Sequence, residues 1–236
     1  MTRIREKGIA LIVVLLAMLL MSAIGIVLVL ATVAETHIAG NFRNAQQTLY
    51  AADAAAERAI DDLCAVPDWN TLLAGGTLSA FVDGPPTGKR WLDDGSFVDL
   101  AQAVNIANCQ KSAACTVNDM NANSDDRLWG ANNPRWTLFA YGRLNDMLPA
   151  GPVASPHYVI VMAADDPAET DNDPATDAAP GNPGAGIVAL RAEAFGPGGA
   201  HKVIELTVAR SDTPCPNANQ QAPSGMARLV TWRELR

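Results

Sequence analysis

The chain has 236 residues, of which 49% are apolar, and its formal net charge is −8. This acidic balance argues against nucleic-acid binding, because contacts to phosphates need clustered Lys and Arg side chains. The length allows one medium-sized domain and an appendage, and we expect no nucleic acid among its partners.

The first predicted element is a basic leader followed by a long apolar helix. Arg3, Arg5 and Lys7 precede an uncharged run from Ile9 to Ala34, and positive charge at this place holds an N-terminus in the cytoplasm. At ~1.5 Å per residue the run is roughly 39 Å long. A bilayer core needs only about 20 residues, whereas the apolar part of a cleaved secretory signal has about 7–15. The run therefore predicts a retained transmembrane helix over residues 9–34.

The helix is predicted to continue as an amphipathic helix over residues 35–66. Apolar residues recur there in alternating steps of four and three, which places them on one helix face. They are Ile38, Phe42, Ala45, Leu49, Ala52, Ala56, Ala59 and Leu63. The first proline after Gly8 is Pro67, so one helix from about Ile9 to about Leu63 is expected. Its apolar face is expected to dock on a periplasmic globular domain formed by residues 67–236.

The cysteines predict disulfides rather than a zinc site. None forms C-x-x-C and no histidine neighbours them at ligand spacing, while export beyond the apolar run favours disulfides. Three pairings of Cys64, Cys109, Cys115 and Cys215 are possible. Cys109 and Cys115 enclose five residues, which favours a local pair and leaves Cys64 with Cys215. The alternative is four unpaired thiols.

The globular domain is predicted to begin with loops and to end with an antiparallel sheet. Between residues 67 and 133 only FVDLAQAVNIANCQ has a helical pattern, with Leu100, Ala103, Val104 and Ala107 on one face. Five later segments are rich in β-formers: RWTLFAYGRL, HYVIVMA, GIVALRAEAF, KVIELTVAR and RLVTWREL. Alternation in the third and fourth predicts one wet face and one buried face. Covering the buried face with the amphipathic helix gives an α+β fold.

An acidic loop between the second and third strands is a candidate calcium site. Its carboxylates are Asp165, Asp166, Glu169, Asp171, Asp173 and Asp177. Oxygen-rich loops of this kind bind Ca²⁺, although the EF-hand glycine and glutamate are missing. The expectation is weak calcium binding, and the alternative is a solvated acidic loop. No other cofactor is expected.

Catalytic motifs are not found in the sequence. The three histidines, His37, His157 and His201, have no Ser or Cys partner in a known nucleophile motif. We therefore expect structural histidines, no catalytic residue and no enzymatic activity.

The N-terminal quarter carries a pattern of the form GxALIVxLLxL…E…IAGNxR…AxxAAExAL. It is matched by Gly8, Ala10, Leu11, Ile12, Val13, Leu15, Leu16, Glu35, Ile38, Ala39, Gly40, Asn41, Arg43, Ala51, Ala52, Ala55 and Glu57. This stretch resembles the N-terminus of type IV pilins, and most closely the PilX-type minor pilins. The resemblance implies a pilin-like fold and a leader, residues 1–8, that a prepilin peptidase cuts after Gly8. Ile9 would then be the N-methylated first residue.

The chain departs from most pilins at the fifth residue after the cut, where Val13 replaces a glutamate. In that family the carboxylate is thought to meet the N-terminal amine of a neighbouring subunit, and a buried charge without such a partner costs several kcal/mol. Pilin-like subunits at the tip, including the PilX-type pilins and the GspK-type pseudopilins, also lack it. Filament contacts are expected from Val13 and its neighbours Leu11, Ile12, Leu15 and Leu16.

The resemblance implies a minor pilin that helps to prime assembly of a type IV pilus and lies at or near its tip, with roles in cell adhesion and twitching motility. Expected partners are other minor pilins, the major pilin, a PilY-type tip adhesin and the inner-membrane assembly platform. The protein would cross the inner membrane once, with a periplasmic domain, and later lie in the cell-surface pilus. The alternatives are a minor pseudopilin of a type II secretion system, which favours a larger inserted domain, and a membrane-anchored periplasmic enzyme or binding domain.

Overall fold

The computed structural model describes residues 7–125, 135–147, 154–169, 173–177, 185–214 and 225–235. Two compact units are present, Met1–Arg43 and Asn44–Arg236. A single helix, α1, runs over Lys7–Leu63, so the prediction of one long N-terminal helix is confirmed. Its apolar run belongs to the first unit, and the alanines near its end belong to the second.

Among its described residues, the second unit contains the end of α1, four short α-helices, a 3-10 turn at Pro197–Gly199 and seven strands. The further elements are α2 Trp69–Leu73, β1 Lys89–Trp91, β2 Phe97–Asp99, α3 Leu100–Cys109, α4 Val117–Asp125, β3 Thr137–Arg143, α5 Leu144–Met147, β4 Tyr158–Asp165, β5 Ile187–Phe195, β6 His201–Pro214 and β7 Gly225–Leu235. Strands β3 to β7 form one antiparallel sheet in chain order, and β1 pairs with β2 in a separate hairpin. The α+β layout and the five predicted sheet strands are confirmed.

Residues 67–133 hold more regular structure than the predicted loops. The segment contains α2, the β1–β2 hairpin and α4 besides the expected helix α3. Two aspartates start helices there by accepting backbone N–H groups: Asp68 from Asn70 at 3.0 Å and Asp99 from Gln102 at 3.1 Å. Elements as short as α2 and β1 carry too few residues for a clear period, which is why the sequence pattern missed them.

Small side chains bring α1 close to the sheet. Ala52, Ala56 and Ala59 on the helix are fully buried and belong to the same core cluster as Ala192 and Ala194 of β5. Alanine on both sides lets the helix and the sheet approach closely, and such a core has little room for larger groups.

The predicted apolar face of α1 is only partly buried. Within the second unit Leu63 is buried, and Leu49 packs against the core cluster. In the first unit Ile38 and Phe42 are exposed. Docking of the apolar face on the sheet is therefore confirmed for its residues in the second unit.

The opposite face of the sheet is covered over β3 and β4. Helix α3 contributes Leu100, Ala103 and Ala107 to a second core cluster, which includes Ile160 and Met162 of β4. Every residue of β4 is buried. The unbroken apolar sequence of β4, rather than an alternating one, is the pattern typical of a strand buried on both faces.

Over β5 to β7 the same face carries an ion-pair ladder. Arg191 bridges Glu193 at 2.7 Å and Glu205 at 3.2 Å, and Glu205 also contacts Arg233. Burial opposes the charge on Glu193, but the hydrogen bond from His201 and the charge of Arg191 hold its pKa below the usual value. The alternation of β5 and β6 separates the apolar from the charged face as predicted, but the charged face is not fully wet, since Glu193 is buried and Arg191 and Glu205 are only partly exposed.

The structure contains a disulfide between Cys109 and Cys115, with the Cα atoms 6.0 Å apart. It ties the end of α3 to the segment that precedes α4. Cys64 is also disulfide-bonded, whereas its predicted partner, Cys215, lies outside the described residues.

Candidate functional site

The first part of the candidate site is the apolar surface of α1. The residues predicted to make filament contacts, Leu11, Ile12, Val13, Leu15 and Leu16, are all more than half exposed. By length and composition this helix is the one in the described chain that could cross a membrane. Large apolar side chains on every side of a helix need lipid or other helices around them. The surface therefore fits a single membrane anchor.

Polar groups in this part of α1 are satisfied inside the helix. The hydroxyls of Ser22, Thr32 and Thr36 donate to carbonyl oxygens one turn earlier, at 2.8–2.9 Å. An internal bond of this kind removes the cost of placing a hydroxyl among apolar groups. The segment is thus suited to an apolar environment despite its three hydroxyl-bearing residues.

The predicted processing site lies at the beginning of α1. The helix starts at Lys7, so Gly8 and Ile9 lie in its first turn. The preceding leader residues, 1–6, lie outside the described residues.

Within the second unit, a buried histidine links α1 to the sheet. The Thr48 hydroxyl donates to the carbonyl oxygen of Asn44 at 2.7 Å, which leaves its oxygen to accept from Nε2 of His157 at 3.2 Å. On the other side of the ring, Nδ1 of His157 lies 2.9 Å from the Ser155 hydroxyl. Burial lowers the pKa of His157, because it penalises the charged imidazolium. The arrangement fits a neutral structural histidine that positions the helix.

Two further contacts hold the same part of α1. Asp62 accepts from the Ser79 hydroxyl and from Nε of Arg58, the latter at 3.0 Å. Nε1 of Trp232 donates to Asp53 at 3.1 Å, which ties the last strand to the helix. The contacts of Asp62 with Ser79 and of Asp53 with Trp232 were not predicted, because their partners lie outside α1.

The acidic loop forms the second part of the candidate site. Three of its carboxylates, Asp165, Glu169 and Asp177, are buried, and their oxygens lie within 4.8 Å of one another. Such a group of oxygens has the chemistry that Ca²⁺ prefers. Burial raises the pKa of Asp177 to about 6, even though N–H groups such as that of Gly186, at 2.9 Å, stabilise its charge. The residues that come together could therefore hold a hard cation.

Two of the other predicted carboxylates do not belong to this cluster. Asp166 accepts from the Ala168 N–H at 3.0 Å, and Asp173 from the Ala175 N–H at 3.1 Å, as expected of aspartates that stabilise turns. Asp171 lies outside the described residues. The sequence located the loop but did not distinguish the buried carboxylates from those in turns.

The PilX N-terminal family model matches residues 7–57, which lie within α1 and include the IAGNFR stretch. No curated protein matches the chain, and no solved structure does either. The long helix and the antiparallel sheet agree with a pilin-like layout. The chain thus carries a PilX N-terminal region, which supports its identification as a PilX-type minor pilin of a type IV pilus.

Proposed function

We propose that this protein helps to prime assembly of a type IV pilus and lies at or near the pilus tip. The observation that carries the proposal is Val13, an apolar and exposed residue in the segment that would form filament contacts. A carboxylate at that place would need a cationic partner from another subunit once it was buried in the fibre. Val13 is uncharged and needs no cationic partner. This position therefore does not require a further subunit on the tip side of this one.

The proposal includes the processing expected of a prepilin. The leader is removed after Gly8, Ile9 becomes the methylated N-terminus, and α1 holds the protein in the inner membrane before assembly. Packing of apolar side chains along α1 against other minor pilins and the major pilin then replaces contact with lipid. The globular domain faces the periplasm and later the cell surface. There it would meet a PilY-type tip adhesin, through which it would act in adhesion and twitching.

The position in the pilus is tested by the ratio of this protein to the major pilin in sheared pili. Pili are sorted by mean length, and both proteins are quantified by mass spectrometry. A tip subunit is present in about one copy per fibre, so the ratio falls in inverse proportion to length. A ratio that stays constant as length increases would show a subunit distributed along the fibre and would contradict the tip position.

A priming role is tested in a strain that lacks the gene. We expect few pili in this strain, and full piliation after complementation with the wild-type chain or with Val13→Leu, which keeps the site apolar. Normal piliation together with a defect in protein secretion would overturn the proposal in favour of a pseudopilin. The proposal assigns the protein a structural role without enzymatic activity.

A further inference from the structure

We propose that the outer edge of β7 is a docking site where an extended, acidic segment of a partner protein adds to the sheet as a sixth strand. The inference rests on the sheet and is independent of the pilus assignment. Its occupant is a peptide chain that supplies backbone hydrogen bonds on one side and carboxylates opposite the arginines of β7.

The two edges of the sheet differ in how they are covered. On the β3 edge, residues 79–83 run alongside the strand: the N–H groups of Ser79 and Asp83 donate to the carbonyls of Phe139 and Tyr141 at 2.8 and 2.9 Å. On the β7 edge, no strand of the described chain pairs beyond β7. A long edge without a partner presents a row of backbone donors and acceptors that can pair with another chain.

The side chains of β7 do not protect this edge. Four large apolar residues of the strand, Met226, Leu229, Val230 and Trp232, are each 38–49% exposed. The strand is 11 residues long and contains no proline or lysine, residues that commonly block edge pairing, and its register with β6 shifts at Val230. Exposed apolar groups concentrated in one strand are typical of an interaction surface.

The surface beside the edge extends onto α1. Trp232 reaches the helix through its bond to Asp53, and Tyr50, one helical turn earlier, is 68% exposed. Residues three apart on a helix are neighbours on its surface. An added strand would therefore place alternate side chains over a surface that contains Trp232 and Tyr50, and we expect those side chains to be apolar.

The positive charge of β7 favours an acidic peptide segment over the β7 strand of a second copy of this chain. The described strand carries Arg228 and Arg233 and a single acidic residue, Glu234, which is already paired with Lys202. Arg233 keeps 70% of its side chain exposed while it contacts Glu205. Two copies paired edge to edge would bring these arginines together, and like charges on adjacent strands are destabilising. An acidic segment would meet them with opposite charge.

The test uses the full chain in non-ionic detergent and two fluorescent 11-residue peptides. One peptide alternates valine with glutamate, and the other alternates valine with lysine. Binding is measured by fluorescence anisotropy, and hydrogen exchange of the β7 amides reports whether the edge becomes protected. We expect saturable binding of the glutamate peptide with protection of β7, and at least tenfold weaker binding of the lysine peptide.

Variants of β7 locate the binding site. Val230 has no register partner in β6, so Val230→Pro blocks pairing at the position where the sheet should tolerate it best, and Val230→Thr is the matched control. We expect at least a tenfold loss for the proline variant and less than a twofold change for the threonine variant. Arg228→Glu reverses an exposed charge and should weaken binding of the glutamate peptide severalfold. If the proline variant does not fold, this variant tests whether the peptide binds at β7.

Three results would overturn the proposal. They are the absence of saturable binding of the glutamate peptide at millimolar concentration, equal binding of the two peptides, and a wild-type chain whose β7 edges pair with each other.

Discussion

The two halves of α1 bury their surfaces in different ways. From Ile9 to Ala34 the helix carries large aliphatic side chains on every side, and they are exposed in the isolated chain. Near its end the buried positions are mostly alanines, such as Ala52, Ala56 and Ala59, and they face the protein's own sheet. The size and distribution of the side chains thus indicate what each half of α1 packs against. Large apolar side chains on every side fit lipid or a bundle of helices, whereas one face of small residues fits close contact with a sheet.

The largest loss of stability is expected from a substitution at Gly196, which directly follows β5 and faces Thr48 of α1. A methyl group added at Gly196 would lie 2.7 Å from Oγ1 of Thr48 and 2.8 Å from Cδ2 of His157. Gly196→Ala should therefore cost about 2–3 kcal/mol of unfolding free energy through overpacking. Thermal or denaturant unfolding in detergent measures the loss.

The control is Gly25, which lies in the apolar half of α1. Nothing lies within 4 Å of a Cβ built at Gly25, so Gly25→Ala should not destabilise the chain. Thr48→Ala removes the nearest obstacle and should recover part of the loss when combined with Gly196→Ala. A Gly196→Ala variant as stable as the wild type would show that the contact is looser than described.

The substitution of alanine by leucine, made once in each half of α1, compares the two halves directly. Ala56 is fully buried against the sheet, whereas Ala17 lies in the exposed run. Ala56→Leu should lower the unfolding free energy by about 1–3 kcal/mol, and Ala17→Leu should change it by less than about 0.5 kcal/mol. Equal effects on the melting temperature would contradict the distinction between the two halves.

Acid should weaken the buried histidine link. Burial holds the pKa of His157 below the value of 6.5 that it has when unfolded. The unfolded chain therefore binds more protons once the pH falls below about 6.5, and stability is lost from there down to the pKa of the folded state. His157→Gln should remove this part of the pH dependence, as measured by denaturant unfolding between pH 7.5 and 5.

The contribution of His157 is obtained by subtracting the unfolding free energy of His157→Gln from that of the wild type at each pH. The subtraction is needed because Asp177 makes the protein more stable, not less, as the pH falls over part of this range. Its raised pKa means that the folded state binds the proton more tightly, so its contribution falls as the pH rises between about 4 and about 6. Identical pH profiles for the wild type and His157→Gln would contradict the role given to the histidine.

The smallest expected effect is that of calcium on the acidic loop. The cluster of Asp165, Glu169 and Asp177 predicts weak binding, which would stabilise the fold by about 1 kcal/mol when free Ca²⁺ is a few times its dissociation constant. Calorimetry and thermal unfolding at millimolar calcium measure it. Asp177→Asn should abolish the effect, and Asp173→Asn, which alters a turn outside the cluster, should keep it. No heat and no thermal shift for the wild type would show that this cluster does not bind calcium.

Local patterns were sufficient to predict the long helix, the five sheet strands and α3, because each of these elements is a long apolar run, a clear period or a segment rich in β-formers. They were insufficient wherever long-range packing decides. Burial of Asp165 with Asp177, and the contact between Thr48 and His157, join residues far apart in the sequence. The covering of β4 on both faces was visible in its unbroken apolar run, but the partner α3 could not be assigned to it from sequence alone.

Processing of the N-terminus is what distinguishes a pilin from an ordinary membrane-anchored protein. Mass spectrometry of the mature protein, purified from membranes and from sheared pili, tests it directly. We predict a chain that begins at Ile9 with a methylated amine, in both fractions. A chain that retains Met1, or one cut within or after the apolar helix, would contradict the assignment as a pilin.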